Sequence, residues 1–170
     1  MNWADVAGRV VVEACRPDPQ DHAIVLGWTP IVEELAPLVA SVVVVDEAAD
    51  RPLPPGARWH RAPLDQPPDL GTASIVVAHW TWRTLPPDRQ RALASRLGAG
   101  LRERALLVIG DVIWSLPADS IDEPEQFGDR LAFAPTDAAL TGMLRNAGFL
   151  PDLHRFGPAV GVMIALRANR

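Results

Sequence analysis

An acid, a histidine and three tryptophans stand where their side chains could do chemistry. Asp46 ends the apolar run Ser41-Val42-Val43-Val44-Val45 and follows the turn Gly27-Trp28-Thr29-Pro30 by about 20 residues, the spacing at which open α/β sheets bring a carboxylate to a ribose. A carboxylate can accept both hydroxyl protons of a ribose, while the turn lays backbone alongside the ligand. Gly27 gives that turn conformational freedom, and Trp28 and Pro30 restrict it. Trp28 therefore stacks on a base, fills the crevice itself, or simply packs as core. Gly27, Trp28, Thr29, Asp46 and Glu47 form the candidate cofactor-binding set.

His79 follows the apolar run Ser74 to Ala78, at the strand end where open sheets hold their ligands. An imidazole with an ordinary pKa can take a proton from a hydroxyl or amine nucleophile, so His79 is the candidate catalytic base. The competing reading is a histidine that fills a strand end. Trp80 and Trp82 either line an aromatic or cation-accepting substrate pocket or pack as core. Asp119, Asp122, Glu123, Glu125 and Asp129 lack regular ligand spacing and a nearby histidine, so a solvated loop is expected and no metal.

Positioning these groups takes a folded domain, and 170 residues with a mass of 18.4 kDa suffice for one. Cys15 stands alone and no apolar run approaches membrane-spanning length, so a soluble protein of the reducing cytoplasm is expected, without membrane association. The net charge is −5, and all 16 basic residues are scattered arginines. Nothing in that pattern is a footprint for nucleic acid.

Residues Asn2 to Ala14 place Trp3, Val6, Val10 and Ala14 near a helical period, which predicts an amphipathic leading helix within residues 1–20. Ala23 to Leu26 reads as a buried strand; Thr29 can cap, and Pro30 can open, a helix through Ala36. Val42 to Val45 suits a parallel strand covered on both faces. Proline then strips the connections at Glu47 to Ala57 and Asp65 to Ala73 of crossover helices, with a weak strand at Arg58 to Arg61 between them. Pro86-Pro87-Asp88 opens a helix carrying Leu93 and Leu97, closed by Gly98 and Gly100, before a strand at Ala105 to Ile109. Residues 115–134 read as a surface loop. Thr136 caps a last helix to Ala147, and Leu150 to Phe156 with Ala159 to Leu166 closes an antiparallel pair through Gly157-Pro158.

Several stretches carry a resemblance to a known family. These are Arg89 to Leu97, the Gly98-Ala99-Gly100-Leu101 turn, Leu106-Leu107-Val108-Ile109-Gly110-Asp111, and Pro135-Thr136-Asp137 to Leu144 followed by Asn146-Ala147-Gly148-Phe149. In order and spacing they resemble the class I S-adenosylmethionine-dependent methyltransferases over about Ala23 to Arg167. The resemblance implies a Rossmann-like α/β three-layer sandwich over residues 1–170. Its mostly parallel seven-stranded sheet would end in an antiparallel hairpin, with fewer helices than usual. It also implies S-adenosylmethionine as cofactor, with Gly27 left from the glycine motif, Asp46 as the ribose-binding carboxylate, and Asp65 as the nearest residue to the adenine-edge acid. Glu33 and Glu34 in the first turn of their helix would repel a phosphate and tolerate a sulfonium.

Two functions follow. In the first, the protein transfers a methyl group from S-adenosylmethionine to a small molecule, with His79, Trp80 and Trp82 facing the acceptor. In the second, the fold has lost cofactor binding and serves as a binding or assembly subunit. Stripped connections leave apolar sheet to cover, so a homodimer or a partner subunit is also expected.

Overall fold

The computed structural model describes residues 3–48, 50–115, 133–156 and 159–169, with residues 3–7 described through their backbone alone. The elements, in chain order, are α1 (Trp3–Cys15), β1 (His22–Leu26), α2 (Ile31–Leu35), β2 (Ser41–Val45), β3 (Ala57–His60), β4 (Ile75–His79), α3 (Pro87–Gly100), β5 (Leu106–Val112), α4 (Asp137–Asn146), β6 (Phe149–Arg155) and β7 (Val160–Arg167). Short 3-10 turns at Ala36–Leu38 and Trp82–Thr84 follow α2 and β4.

The strands form one sheet in the order β3-β2-β1-β4-β5-β7-β6. All neighbours are parallel except β7, which runs antiparallel to both β5 and β6. The fold class expected from sequence is therefore the one observed. Alternation along the central strands sorts their side chains into two cores. Ile24, Leu26, Val43, Val45, Val76 and Ala78 face Leu93, Leu97, Leu140 and Leu144 of α3 and α4. Ala23, Val25, Val42, Val44, Ile75 and Val77 face Val11, Val12, Ile31 and Leu35 of α1 and α2. Burial on both sides explains why these strands read as unbroken apolar runs.

Leu64 and Leu70 pack onto the first core, and Leu53 and Trp59 onto the second. The helix-poor connections thus cover part of the sheet themselves. Of the two glycines expected to close α3, Gly100 is its last residue, while Gly98 lies within the helix where a Cβ would run into the Ala147 carbonyl at the end of α4. Thr136 caps α4 as expected, its hydroxyl accepting from the Ala139 N–H at 3.2 Å. Thr29 differs. Its carbonyl accepts from the Val32 N–H at 3.0 Å, and its buried hydroxyl has no hydrogen-bond partner among the described residues. Most of the expected loop at 115–134, the Gly157-Pro158 turn and the Trp3 side chain lie outside the described residues. No helix among the described residues is long and apolar enough to cross a membrane.

Candidate functional site

Parallel packing aligns the carboxyl ends of β1, β2 and β4, and the turns that leave them form a cleft. Gly27 ends β1 with φ +78°, a left-handed conformation costly for any residue with a Cβ. A Cβ there would also lie 2.6 Å from the Thr81 methyl carbon. The Gly27 N–H donates to the Val45 carbonyl at 2.8 Å, fastening the turn to β2. Asp46 fastens it again: its carboxylate accepts from the Trp28 N–H at 3.1 Å and from the Ala48 N–H at 2.9 Å. Each carboxylate oxygen has two acceptor sites, so one on each remains for a ligand hydroxyl.

The cleft above this turn has a volume of about 360 Å³, lined by Gly27, Trp28, Asp46, Glu47, Pro63, Leu64, Thr81, Thr84, Leu85 and Arg89. That is near the lower end for small-molecule sites, roughly 300–1,000 Å³. Trp28 bounds the cleft and leaves it open. Its half-buried indole packs on the core beneath α1 and α2, with the Arg51 guanidinium 4.5 Å above the ring. Four of the five cofactor candidates from sequence, Gly27, Trp28, Asp46 and Glu47, therefore share one crevice. Thr29 lies behind them, buried.

His79 is not in the cleft wall. It is 3% exposed, and Cβ atoms placed on Gly8 of α1 and Gly110 of β5 would lie 4.0 Å and 3.3 Å from its ring. Neither ring nitrogen has a hydrogen-bond partner among the described residues. Burial foremost, and then the charge of Arg83, push its pKa down to about 4, so the imidazole is neutral at pH 7. Trp80 and Trp82 separate. Trp80 takes φ +58°, and its ring packs with Val112, Trp114 and Ala159 beneath the Arg83 guanidinium, 5.0 Å from the ring centre. Trp82 is 1% exposed in the core beneath α3.

Two ion pairs join residues far apart in sequence. The buried Asp111 carboxylate pairs with Arg83 and accepts from the backbone N–H groups of Arg83 and Val112. Burial raises its pKa against the opposing pull of Arg83. An acid within the apolar strand Leu106–Val112 was the only sequence signal for this pair. Asp65 accepts from Arg89 Nε at 2.8 Å and Nη2 at 2.6 Å, and the hydrogen bond from Arg89 holds its carboxyl below the usual range. Arg89, not Asp65, reaches the cleft wall. No cluster of three or more potential metal-ligating side chains occurs among the described residues, and the acids from Asp119 to Asp129 lie outside them.

No protein-family model matches the sequence, and no curated protein matches it. Solved structures do. The chain aligns with CalS10, an amino pentose methyltransferase from Micromonospora echinaspora solved with S-adenosylmethionine, at TM-score 0.70 and 16% identity, covering 99% of this chain and 92% of that one. It aligns with the N-methyltransferase NodS from Bradyrhizobium japonicum at TM-score 0.68 and 10% identity, covering 97% and 96%. The YcgJ protein from Bacillus subtilis aligns at TM-score 0.76 and 7% identity, covering 98% and 100%.

Proposed function

We propose, for a chain that has the fold of the class I S-adenosylmethionine-dependent methyltransferases, that it binds S-adenosylmethionine over Gly27 and Asp46 and methylates a small molecule. The observation that carries this reading is the open cleft: Trp28 turns onto the α1–α2 layer and leaves the space above Gly27 and Asp46 free. The residues present fit an adenosyl group. Gly27 brings its backbone to the cleft wall, and Asp46 keeps acceptor sites for ribose hydroxyls.

When bound, S-adenosylmethionine supplies an electrophilic methyl group on a sulfonium. The chain's contribution is to hold, align and desolvate. A neutral His79 adds no positive charge to repel a sulfonium, but with a pKa near 4 it is a weak base. Alignment of the acceptor therefore carries the rate, with His79 buried outside the cleft wall.

The second reading, a binding or assembly subunit, has its own observation. Asp46 is held by two backbone N–H groups and Asp65 by Arg89, so the turns are satisfied without a ligand. Calorimetric titration with S-adenosylmethionine and S-adenosylhomocysteine tests the choice. Binding that Asp46→Ala weakens by about tenfold or more supports the transferase; no heat and no thermal stabilisation at millimolar ligand supports the subunit.

A further inference from the structure

We propose that the groove between α1 and the hairpin end of the sheet is an interface between two copies of this chain, related by a two-fold axis that sets Glu13 of each copy against Arg16 of the other. The groove shares no residue with the cleft above Gly27, so the contact stands whichever ligand that cleft takes. Its volume is about 580 Å³ and its floor is apolar: Leu106, Val162, Ile164 and Leu166 of the sheet, walled by Val10 and Ala14 of α1. Leu106 is the register partner of Leu166, and Leu166 of Leu150, so three leucines stand side by side on one face across β5, β7 and β6. Their exposure rises towards the edge, from half-buried Leu106 to Leu166 at 39% and Leu150 at 61%. Single apolar residues are ordinary on a protein surface, whereas a contiguous row opening into a groove marks an interaction site.

The charges on the rim say which molecule covers it. Asp152 and His154 pair with one another at 3.1 Å. Glu13 and Arg16 are exposed, and neither side chain has a hydrogen bond or an ion pair among the described residues. A matching partner therefore brings a base for Glu13 and an acid for Arg16, both beside an apolar surface. This face carries that combination itself, and a two-fold rotation exchanges the two charges, as an isologous contact requires. Arg16 adds a second observation. It follows Cys15, the last residue of α1, at φ +43°, a left-handed position where glycine ends a helix at least cost. An arginine there costs backbone strain. No ion pair of its guanidinium among the described residues offsets that cost; pairing with Glu13 of a second copy does.

Sedimentation equilibrium on the intact chain, with the charge reversed at each rim position, tests this. Wild type should show a mass that rises with concentration to twice that of the chain. Glu13→Arg and Arg16→Glu should each weaken association by about tenfold or more, because like charges then face each other at both pairs. An equimolar mixture of the two variants should regain the wild-type mass, since one copy then carries two bases and the other two acids. Arg16→Gly keeps the left-handed turn without its strain, so it should weaken association while melting no lower than wild type at concentrations where both are monomeric. Circular dichroism confirms that the reversed variants fold, as both side chains are exposed. A wild-type mass that stays at the monomer overturns the inference and leaves the groove to a partner of another kind. So does either reversal with unaltered association, or a mixture as dissociated as its components.

Discussion

Replacing His79 with Gln removes a buried imidazole whose protonation the fold resists. Its pKa falls from 6.5 to about 4 in the folded protein, chiefly through burial and next through the charge of Arg83. Between those values the unfolded chain takes up a proton that the native protein refuses. The wild-type protein therefore keeps its full stability above pH 6.5, loses it as the pH falls towards 4, and shows no further loss from this group below that. At 1.36 kcal/mol per pKa unit the shift corresponds to about 3 kcal/mol, with a slope of at most about 1.4 kcal/mol per pH unit. Urea unfolding followed by tryptophan fluorescence from pH 8 to pH 4, on wild type and His79→Gln, reads the difference directly. The raised pKa of Asp111 is common to both proteins and drops out of the comparison to first order. Wild type should lose about 3 kcal/mol more than the variant over that range. Parallel stability curves, or an NMR titration of the His79 ring centred near 6.5, would refute the burial argument.

Gly27→Ala places a Cβ at positive φ and against Thr81, and should lower stability by about 2 kcal/mol; Thr81→Ser, which removes the methyl, should recover part of that and leave the backbone cost. Arg83→Met strips the buried Asp111 carboxylate of its cation and should cost about 3 kcal/mol at pH 7, and less at pH 4 where the carboxyl protonates; an equal loss at both pH values would count against it. Leu150 and Leu166 are neighbours across β6 and β7 and are 61% and 39% exposed, so they are the apolar surface on which the expectation of a second copy can be tested. Sedimentation should show a mass that rises with protein concentration and returns to the monomer in Leu150→Asp. A constant monomer mass would remove that expectation.

The sheet was legible because burial on both faces leaves only apolar residues in Val42–Val45 and Ile75–Ala78, and because helices with one apolar face separate the later strands. Asp46 was legible for a related reason: its distance from Gly27 is set by one strand-helix-strand unit. The ion pairs were not. Asp65 and Arg89 lie on either side of β4, and only the folded sheet brings them together. Trp80 and Trp82 illustrate a different limit. Alternate residues of an extended chain point the same way, but the left-handed turn at Trp80 breaks that rule: Trp82 joins the core of Val76 and Ala78, while Trp80 packs with Val112, Trp114 and Ala159. A positive φ at a tryptophan carries no mark in the sequence.

The tight seat of Gly98 against the Ala147 carbonyl has a reach beyond local packing. The same helix carries Arg89 in its first turn and Gly98 near its finish, so it joins the crevice at one end to α4 at the other. A bulkier residue at the far tip would have to displace α4 or α3, and a shift of α3 would carry the cleft wall that Arg89 supplies with it. The shape of the cleft can thus be altered from a position outside its lining.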